Sequence, residues 1–145
     1  MGTSIARILS SKGRQVATIT TEVTLADAVA TLREHGVGAL VVAEGDRVIG
    51  ILSERDVVRC LAVDGADGLQ RRAADVMTAP VTTCEPSSTT DELMAVMTEG
   101  RFRHLPVVEE GRLVGIVSIG DVVKWRLEEL RSEAEALSEY VAGTY

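Results

Sequence analysis

The sequence predicts an α/β fold of the α+β kind, in which two β-α-β-β-α repeats pack with pseudo-two-fold symmetry and a long C-terminal helix follows. Three observations lead to this prediction. Residues 48–58 reappear as residues 113–123, so that Ser53 recurs as Ser118, 65 positions later. Apolar residues follow strand and helix spacings in the same order in both copies. The chain of 145 residues is 46% hydrophobic, enough to form one buried core from two units that are each too small to be stable alone.

Each repeat is predicted to open with a short strand and a capped helix. The strands are expected at residues 16–19 and 81–84. Thr24 and Thr89 are each followed three residues later by an acid, Asp27 or Glu92, and this is the capping-box pattern that begins a helix. Apolar residues then recur at helical spacing in both copies.

A β-hairpin and a second helix are predicted to complete each repeat. The apolar runs 39–43 and 47–52 are divided by Glu-Gly-Asp, and the runs 104–108 and 112–117 by Glu-Glu-Gly, both of which favour a turn. Pro106 has no amide hydrogen, so its strand lies at a sheet edge or turns that position toward something other than a strand, such as a ligand. The pattern Ser-x-x-Asp then begins a helix in each copy.

We predict five segments along the chain. An N-terminal segment, 1–13, packs on the pair; residues 14–64 form the first repeat, 65–78 a connector, 79–126 the second repeat, and 127–145 a helical extension. In the extension, apolar residues alternate in steps of four and three, as in the seam of a coiled coil. This seam predicts a homodimer, although it could instead pack back on its own domain. The seam residues are Val123, Leu127, Leu130, Ala134, Leu137 and Val141.

Composition limits the class of function. The chain carries 15 basic and 22 acidic residues, a net charge of −7, and this acidic balance opposes non-specific binding of nucleic acid. Aromatic residues make up only 3%, too few for a base-stacking platform. No apolar run approaches the roughly 18–20 residues that span a bilayer, and the N-terminus lacks the pattern of an export signal. We therefore predict a cytoplasmic protein that binds neither nucleic acid nor membrane.

Ordinary catalytic and metal-binding motifs are missing from the sequence. There is no G-x-S-x-G, HExxH, GxxxxGK[ST] or G-x-G-x-x-G, and His35 and His104 have no Cys or carboxylate at ligand spacing. Cys60 and Cys84 are too few for a disulfide framework and are expected to be buried, reduced thiols. We predict no metal and no catalysis.

Two interpretations of the duplicated Ser-x-x-Asp pattern remain open. It is itself a helix cap and needs no ligand. Alternatively, its acids accept hydroxyl groups of a bound sugar. Arg55 favours the second interpretation, because a cation in the first turn of a helix interacts unfavourably with the helix dipole unless an anion binds next to it. Arg101, Arg103 and His104 form a cationic cluster in an acidic chain, and together with apolar walls they suit a sugar bearing a phosphate.

The sequence also resembles a known family. The duplicated Ser-x-x-Asp-Val-Val junction, with Gly-Ala-Leu-Val-Val upstream in one copy and His-Leu-Pro-Val-Val in the other, is similar to a tandem pair of cystathionine-beta-synthase (CBS) domains, the Bateman module. The resemblance covers about residues 14–126. It implies two clefts between the repeats that hold adenosine derivatives: AMP, ADP or ATP, and in some members NAD(H) or S-adenosylmethionine.

The resemblance further implies roles for particular residues. Asp56 and Asp121 would bond the ribose hydroxyls, with Ser53 and Ser118 at the ribose or phosphate. The positions expected beside the adenine are Thr18, Ile19 and Ala39 in one copy and Thr83, Cys84, His104 and Pro106 in the other. The candidates for the phosphate are Arg55, Arg101, Arg103 and His104, with Lys12 in addition. Val41 stands in the first copy where Pro106 stands in the second, a difference that bears on whether both clefts are occupied.

These features together predict a homodimeric sensor of adenylate level, with AMP as the preferred ligand. Binding would change the angle between the repeats and so alter a surface seen by an unidentified partner protein, provided that the ligand distinguishes two conformations. An alternative is a module that senses NAD(H) or redox state through Cys84, whose thiol would be reactive if a nearby arginine lowered its pKa. An enzyme of unknown reaction is the third possibility.

Overall fold

Two small sheets, one in each repeat, form the centre of the computed structural model, which describes residues 2–143. The first sheet has the order β1-β2-β3 and the second consists of β4 and β5. The strands are β1 Thr18–Ile19, β2 Ala39–Glu44, β3 Arg47–Ser53, β4 His104–Glu109 and β5 Arg112–Ser118. The helices are α1 Ile5–Lys12, α2 Leu25–His35, α3 Glu54–Asp64, α4 Ala73–Val76, α5 Thr90–Gly100 and α6 Ile119–Gly143, with a 3₁₀ segment at Gly65–Gln70.

The two hairpins confirm the predicted duplication. β2 pairs with β3 and β4 with β5, both antiparallel, and the partners of one hairpin recur in the other, as Val41 opposite Ile51 and Pro106 opposite Ile116. Each hairpin also shifts register at the equivalent place. The helices that precede the hairpins begin as expected, because Thr24 and Thr89 each accept a hydrogen bond from the backbone amide three residues on.

The predicted strand at residues 81–84 is wrong in extent. Only Cys84 forms a bridge, with Val107, whereas β1 pairs over two residues with β2. In the first repeat the amide of Val41 donates to the carbonyl of Ala17 at 3.1 Å. Pro106 occupies the equivalent position and has no amide hydrogen, so this part of the ladder cannot form. The predicted strand at residues 16–19 is likewise shorter than expected, at Thr18–Ile19.

The helices α1 and α4 are exchanged between the repeats. Helix α1 lies ahead of the first repeat in the chain, but Ile5, Ile8 and Leu9 are buried in the core of the second. Helix α4 lies just ahead of the second repeat, but Ala73 is buried in the core of the first. The equivalent glycines of β3 and β5, Gly50 and Gly115, give each core the space for this packing.

The contacts at these two glycines are close. A Cβ atom at Gly50 would lie 2.6 Å from Met77 Sδ, and one at Gly115 would lie 2.7 Å from Leu9 Cδ2. Equivalent backbone hydrogen bonds hold the two exchanged segments in place. The Leu25 amide donates to the Arg71 carbonyl in the first repeat, and the Thr90 amide donates to the Thr3 carbonyl in the second. The N-terminal segment is therefore an integral part of the second core.

Helix α6 is anchored to the body through Glu129. Its carboxylate accepts hydrogen bonds from the Thr3 amide at 2.7 Å, from Thr90 Oγ1 at 2.8 Å and from Arg126 at 3.0 Å. Burial acts to raise the pKa of Glu129, but the hydrogen bonds from Thr3, Thr90 and Arg126 outweigh it and lower this pKa from 4.5 to about 2. The carboxylate is therefore ionised at neutral pH and holds α6 to the N-terminal segment and α5.

Beyond this anchor, helix α6 runs on with every residue from 131 to 143 exposed. The seam side chains do not pack back on the chain: Leu127 is 62% exposed and Leu137 64% exposed. The interpretation in which the seam covers its own domain is therefore wrong. The predicted segments 1–13 and 127–145 also include Met1 and residues 144–145, which lie outside the described residues. Within residues 2–143, no helix is both long enough and apolar enough to cross a membrane.

Candidate functional site

A cavity of about 370 Å³ lies where β3 meets α3, and the segment between α5 and β4 of the other repeat closes it. We call it the first cleft. Residues from both repeats and from the connector therefore line one space, as the predicted architecture requires. The lining residues are Gly38, Ile51, Ser53, Glu54, Arg55, Asp56, Arg59, Thr78, Gly100, Arg101, Phe102, Arg103 and His104.

Asp56 is held in the first cleft by the start of α3. Its Oδ2 accepts hydrogen bonds from the amide of Ser53 at 2.9 Å and from Ser53 Oγ at 3.0 Å, while its Oδ1 accepts one from Thr78 Oγ1 at 3.0 Å. The amide of Asp56 in turn donates to Ser53 Oγ, which completes a capping box. The residue is only 9% exposed and lines the cavity. Capping the helix and facing the cleft are thus compatible roles of one side chain.

Four guanidinium groups line the same cleft. Arg55 and Arg59 come from α3, one helical turn apart, while Arg101 and Arg103 come from the second repeat. Arg55 donates to the carbonyl of Arg101 at 3.2 Å and so links the two walls. Against the acids Glu54 and Asp56, these groups leave an excess of positive charge in a chain whose net charge is −7.

Arg101 adopts a backbone conformation that is unfavourable for its side chain. It ends α5 in the left-handed region, with φ 56° and ψ 33°. The equivalent residue at the end of α2 is Gly36, with φ 63° and ψ 37°, and glycine is the usual residue at such a position. A side chain in this region costs roughly 1–2 kcal/mol, so the first cleft carries an arginine where the fold prefers glycine.

His104 lies between the two duplicated Ser-x-x-Asp sites. Burial lowers its pKa, Glu54 and Asp121 act to raise it, Lys12 and Arg103 act to lower it, and the net direction is down. The ring is therefore neutral at pH 7. Its Cε1 atom would be 3.5 Å from a Cβ atom placed on Gly38. The resemblance assigned His104 to the adenine position of the second copy, and the structure places it in the lining of the first cleft.

The second copy of Ser-x-x-Asp has a different partner. Asp121 Oδ2 accepts a hydrogen bond from the amide of Ser118 at 2.9 Å and pairs with Lys12 Nζ at 2.5 Å. Lys12 Nζ also donates to the carbonyl of Ile116 at 3.0 Å. Burial acts to raise the pKa of Asp121, but its bonds to Lys12 and Ser118 prevail and lower it. We call the residues Ser118, Asp121 and Lys12 the second Ser-x-x-Asp site.

Lys12 takes the structural place that Thr78 has in the first repeat. There, the backbone of Thr78 exchanges hydrogen bonds with Ile51, the equivalent of Ile116, and its hydroxyl group donates to Asp56. In the second repeat the single ammonium group of Lys12 makes both kinds of contact, at the end of α1. Lys12, predicted as a phosphate partner, is therefore engaged with Asp121.

The residues predicted beside the adenine are not among those that line the first cleft, apart from His104. Thr18 and Thr83 are exposed, and Ala39 and Pro106 are buried in β2 and β4. Ile19 and Cys84 are buried in the cores of their repeats. Their predicted contact with a ligand stays a prediction.

The thiol of Cys84 is buried and its pKa is raised. Burial raises the pKa of its thiol to about 12, with a further contribution from the charge of Glu85. A thiolate is therefore scarce at neutral pH, and the condition under which Cys84 would be reactive, an arginine that lowers this pKa, is not met. Cys60 and Cys84 are both free and buried, as predicted.

Some residues of the first cleft were not found from the sequence. Arg59 could have been, because it follows Arg55 by four residues and so shares its helix face. Phe102 could have been found as well, because it lies between Arg101 and Arg103. Thr78 carries no such local signal, since only the tertiary structure brings it to the cavity. In residues 2–143, no three His, Cys, Asp or Glu side chains are grouped as metal ligands.

The family model described as CBS domain matches residues 8–63 and 73–128. The chain belongs to the CBS-domain family. It is 36% identical to the CBS domain-containing protein CBSX3, mitochondrial, of Arabidopsis thaliana, over 99% of this chain and 74% of that protein. It is 50% identical to the CBS-domain containing protein ATU1752 of Agrobacterium tumefaciens, with a TM-score of 0.83 over 87% of this chain and 95% of that one.

A more distant CBS domain pair shares the fold. It is the CBS domain pair of protein MJ0100, whose crystal structure is in complex with 5′-methylthioadenosine and S-adenosyl-L-methionine. It is 21% identical, with a TM-score of 0.78 over 89% of this chain and 99% of that one. This identity is low enough that the similarity shows the fold alone. The shared architecture is the pair of CBS repeats.

Proposed function

We propose that the first cleft binds an adenine nucleotide, with AMP as the preferred ligand, and that the protein reports its occupancy to a partner protein. The observation that carries this proposal is the meeting of a buried carboxylate and four guanidinium groups in one cavity between the repeats. Ribose hydroxyls would donate to Asp56, and the arginines would bind the phosphate through charge-assisted hydrogen bonds.

The contacts of Asp56 leave room for a ribose. A carboxylate offers about four acceptor sites, and three hydrogen bonds from Ser53 and Thr78 are present. Two of these come from hydroxyl groups, which can rotate and accept a hydrogen bond from the ligand instead. The neutral ring of His104 can donate or accept a hydrogen bond and does not repel the arginines.

The size of the cavity favours a mononucleotide. At about 370 Å³ it lies near the lower end of the ~300–1,000 Å³ typical of small-molecule sites, and a dinucleotide such as NAD(H) is much larger than AMP. The pair of MJ0100, whose fold is similar, holds adenosine derivatives. ADP, ATP, NAD(H) and S-adenosylmethionine are the ligands against which AMP is to be compared.

The mechanism would be binding without bond breaking. The repeats contact each other through the Leu113 amide and the Asp46 carbonyl at the hairpin turns, and through Arg55 and Arg101 at the cleft. A nucleotide between the walls would change their separation at the cleft end while the turns stay joined. The signal requires that the nucleotide bind the two arrangements with different affinity. The free thiols suit a reducing compartment, and we place the protein in the cytoplasm.

A thermal-shift panel of these ligands tests this function. At 100 times its dissociation constant, AMP should stabilise the protein by about 2.7 kcal/mol, which corresponds to a rise in Tm of about 5–10 °C for a chain of this size. Asp56→Ala should remove this rise and, through loss of the hydrogen bonds that its carboxylate accepts from Ser53 and Thr78, lower stability by about 1–3 kcal/mol. No rise with AMP, together with a rise for another nucleotide, would refute the choice of AMP.

Asp27→Ala is the matched control for the Asp56 substitution. Asp27 holds the same position in α2, where its amide donates to the Thr24 cap, but it is exposed and outside the cleft. The control should lose no more stability than Asp56→Ala and keep the full AMP-induced shift. If Asp56→Ala also keeps that shift, Asp56 is a cap and nothing more.

The protein is further proposed to be a homodimer that pairs through the exposed seam of α6. Leu127, Leu130 and Leu137 leave apolar surface in water, and burying a leucine side chain is worth about 1.5–3 kcal/mol. Light scattering should therefore give twice the mass of the 15.5 kDa chain. Leu137→Glu should shift the protein to the monomer, whereas Ser132→Glu, off the seam, should not. A wild-type monomer at micromolar concentration would contradict this proposal.

A further inference from the structure

His104 lies at the junction of the two repeats. It begins β4 and lines the first cleft, and its pairing partner on β5 is Ser118 of the second Ser-x-x-Asp site. Its side chain is half-buried. Among the residue types that line this cavity, histidine is the one whose charge changes between about pH 5 and 8. The net charge of the cleft in that range therefore depends on this ring.

A carboxylate of the first repeat borders the same space as the ring of His104. A Cβ atom placed on Gly38 would lie 3.0 Å from Glu54 Oε1 and 3.6 Å from His104 Nε2, so the two side chains are neighbours on either side of this glycine. Glu54 begins α3, whereas His104 belongs to the second repeat. A protonated His104 ring would thus attract a carboxylate across the cleft, and a neutral ring would not.

Charged groups surround His104 on the elements that pack against it. Glu54 on α3 and Asp121 on α6 favour the protonated ring, whereas Lys12 on α1 and the adjacent Arg103 oppose it. Burial opposes it most, so the pKa of His104 is lowered in the unliganded cleft. An anion that enters the cleft brings negative charge to the ring and shifts this balance toward protonation. The other charged residues of the lining are Asp56, Arg55, Arg59 and Arg101.

We propose that the first cleft is a pH-dependent anion site, in which His104 takes up a proton when the nucleotide phosphate binds. This inference rests on the proposed function of the first cleft and adds a second signal to it. A group that gains a proton on binding makes binding tighter as the pH falls. At a constant nucleotide concentration, acidification would therefore fill more clefts, and the protonated ring would draw its wall toward Glu54.

His104→Asn tests this coupling, because asparagine keeps a polar side chain that cannot gain a charge. Isothermal titration with AMP is performed at about pH 5.5 and about pH 7.5, on either side of the ordinary pKa of histidine. The phosphate of AMP titrates in the same range, but its contribution is common to wild type and variant. Acidification should therefore raise the affinity of the wild type about five- to tenfold more than that of His104→Asn, as expected for a pKa that rises by about one unit on binding.

His35→Asn is the matched control. His35 is the second histidine of the chain, lies exposed in the last turn of α2 and does not line the first cleft. This variant should keep the full response of the wild type to pH. If His104→Asn keeps it as well, or if His35→Asn loses it, the inference is overturned.

Proton uptake by the wild type gives an independent measurement that does not depend on the folding of a variant. The binding enthalpy of AMP is measured near pH 6.5 in two buffers that differ in ionisation enthalpy, and the difference gives the number of protons taken up. Adenosine, which lacks the phosphate, is measured in the same way. Greater uptake with AMP than the phosphate itself accounts for, and none with adenosine, would support the inference. Uptake equal to that of the phosphate would overturn it.

Failure of the proposed function would give a different result. If the wild type bound no AMP at either pH, the nucleotide assignment would be refuted. The pH-dependent anion site would then be decided by thermal shift with inorganic sulfate, whose charge is constant in this range. A rise in Tm that is larger at the lower pH in the wild type, but not in His104→Asn, would support it. No rise, or an equal rise at both pH values, would overturn it.

Discussion

Replacing Arg101 by glycine is expected to weaken AMP binding about 10- to 100-fold without lowering stability. The lost hydrogen bonds from a charged group are worth about 1.5–3 kcal/mol. Stability should rise by about 1 kcal/mol, since the left-handed backbone of Arg101, at φ 56°, no longer carries a side chain. Isothermal titration gives the affinity, and urea denaturation gives the free energy of unfolding.

Glu110→Gly is the control that separates backbone strain from ligand contact. Glu110, at φ 50°, is the other non-glycine residue with positive φ in the described chain, and it lies in the turn of the second hairpin, away from the first cleft. Its replacement should raise stability and leave AMP affinity unchanged. If Arg101→Gly instead destabilises the fold and binds AMP normally, the role of Arg101 is structural.

Leu9→Ala is expected to lower the free energy of unfolding by about 2–5 kcal/mol, the range for removing a leucine side chain from a packed core. Leu9 is 1% exposed and belongs to the core of the second repeat. Urea denaturation measures the loss. Ser10→Ala, at an exposed position of the same helix, should change stability by less than about 0.5 kcal/mol.

A double-mutant cycle with Gly115 makes this prediction specific. Gly115→Ala alone places a Cβ atom 2.7 Å from Leu9 Cδ2 and should cost about 1–3 kcal/mol by overpacking. In the double variant the shorter alanine side chain that replaces Leu9 removes the clash, so the combined loss should be smaller than the two single losses added together. Additive losses would show that α1 does not pack on β5 at this point.

The sequence was sufficient wherever structure depends on local signals. The offset of 65 residues located both hairpins, and the capping threonines located α2 and α5. The predicted strand at residues 81–84 failed because one residue far along the chain, Pro106, removes the hydrogen bond that would extend it. Nothing in the length or the composition of residues 81–84 indicates that this hydrogen bond is missing.

The candidate site was predictable only in part, for a similar reason. Ser53, Asp56 and Arg55 lie within one short motif, and the structure places all three in the first cleft. Lys12 and Asp121 form an ion pair although they are 109 residues apart in the sequence, and no local pattern indicates this pair. Thr78 comes from a connector that looks purely structural in the sequence. Contacts that depend on how the two repeats are arranged could be found only from the three-dimensional structure.

The exchange of α1 and α4 between the repeats has a consequence for synthesis on the ribosome. The first repeat can close as soon as α4 has emerged, because all its parts are then available. Helix α1 is made earlier but must wait for β4, β5 and α5, with the apolar side chains of Ile5, Ile8 and Leu9 uncovered. A nascent chain that stalls in this interval exposes the apolar side chains of α1 next to a folded first repeat. We therefore expect α1 to be the segment that a chaperone binds at this stage.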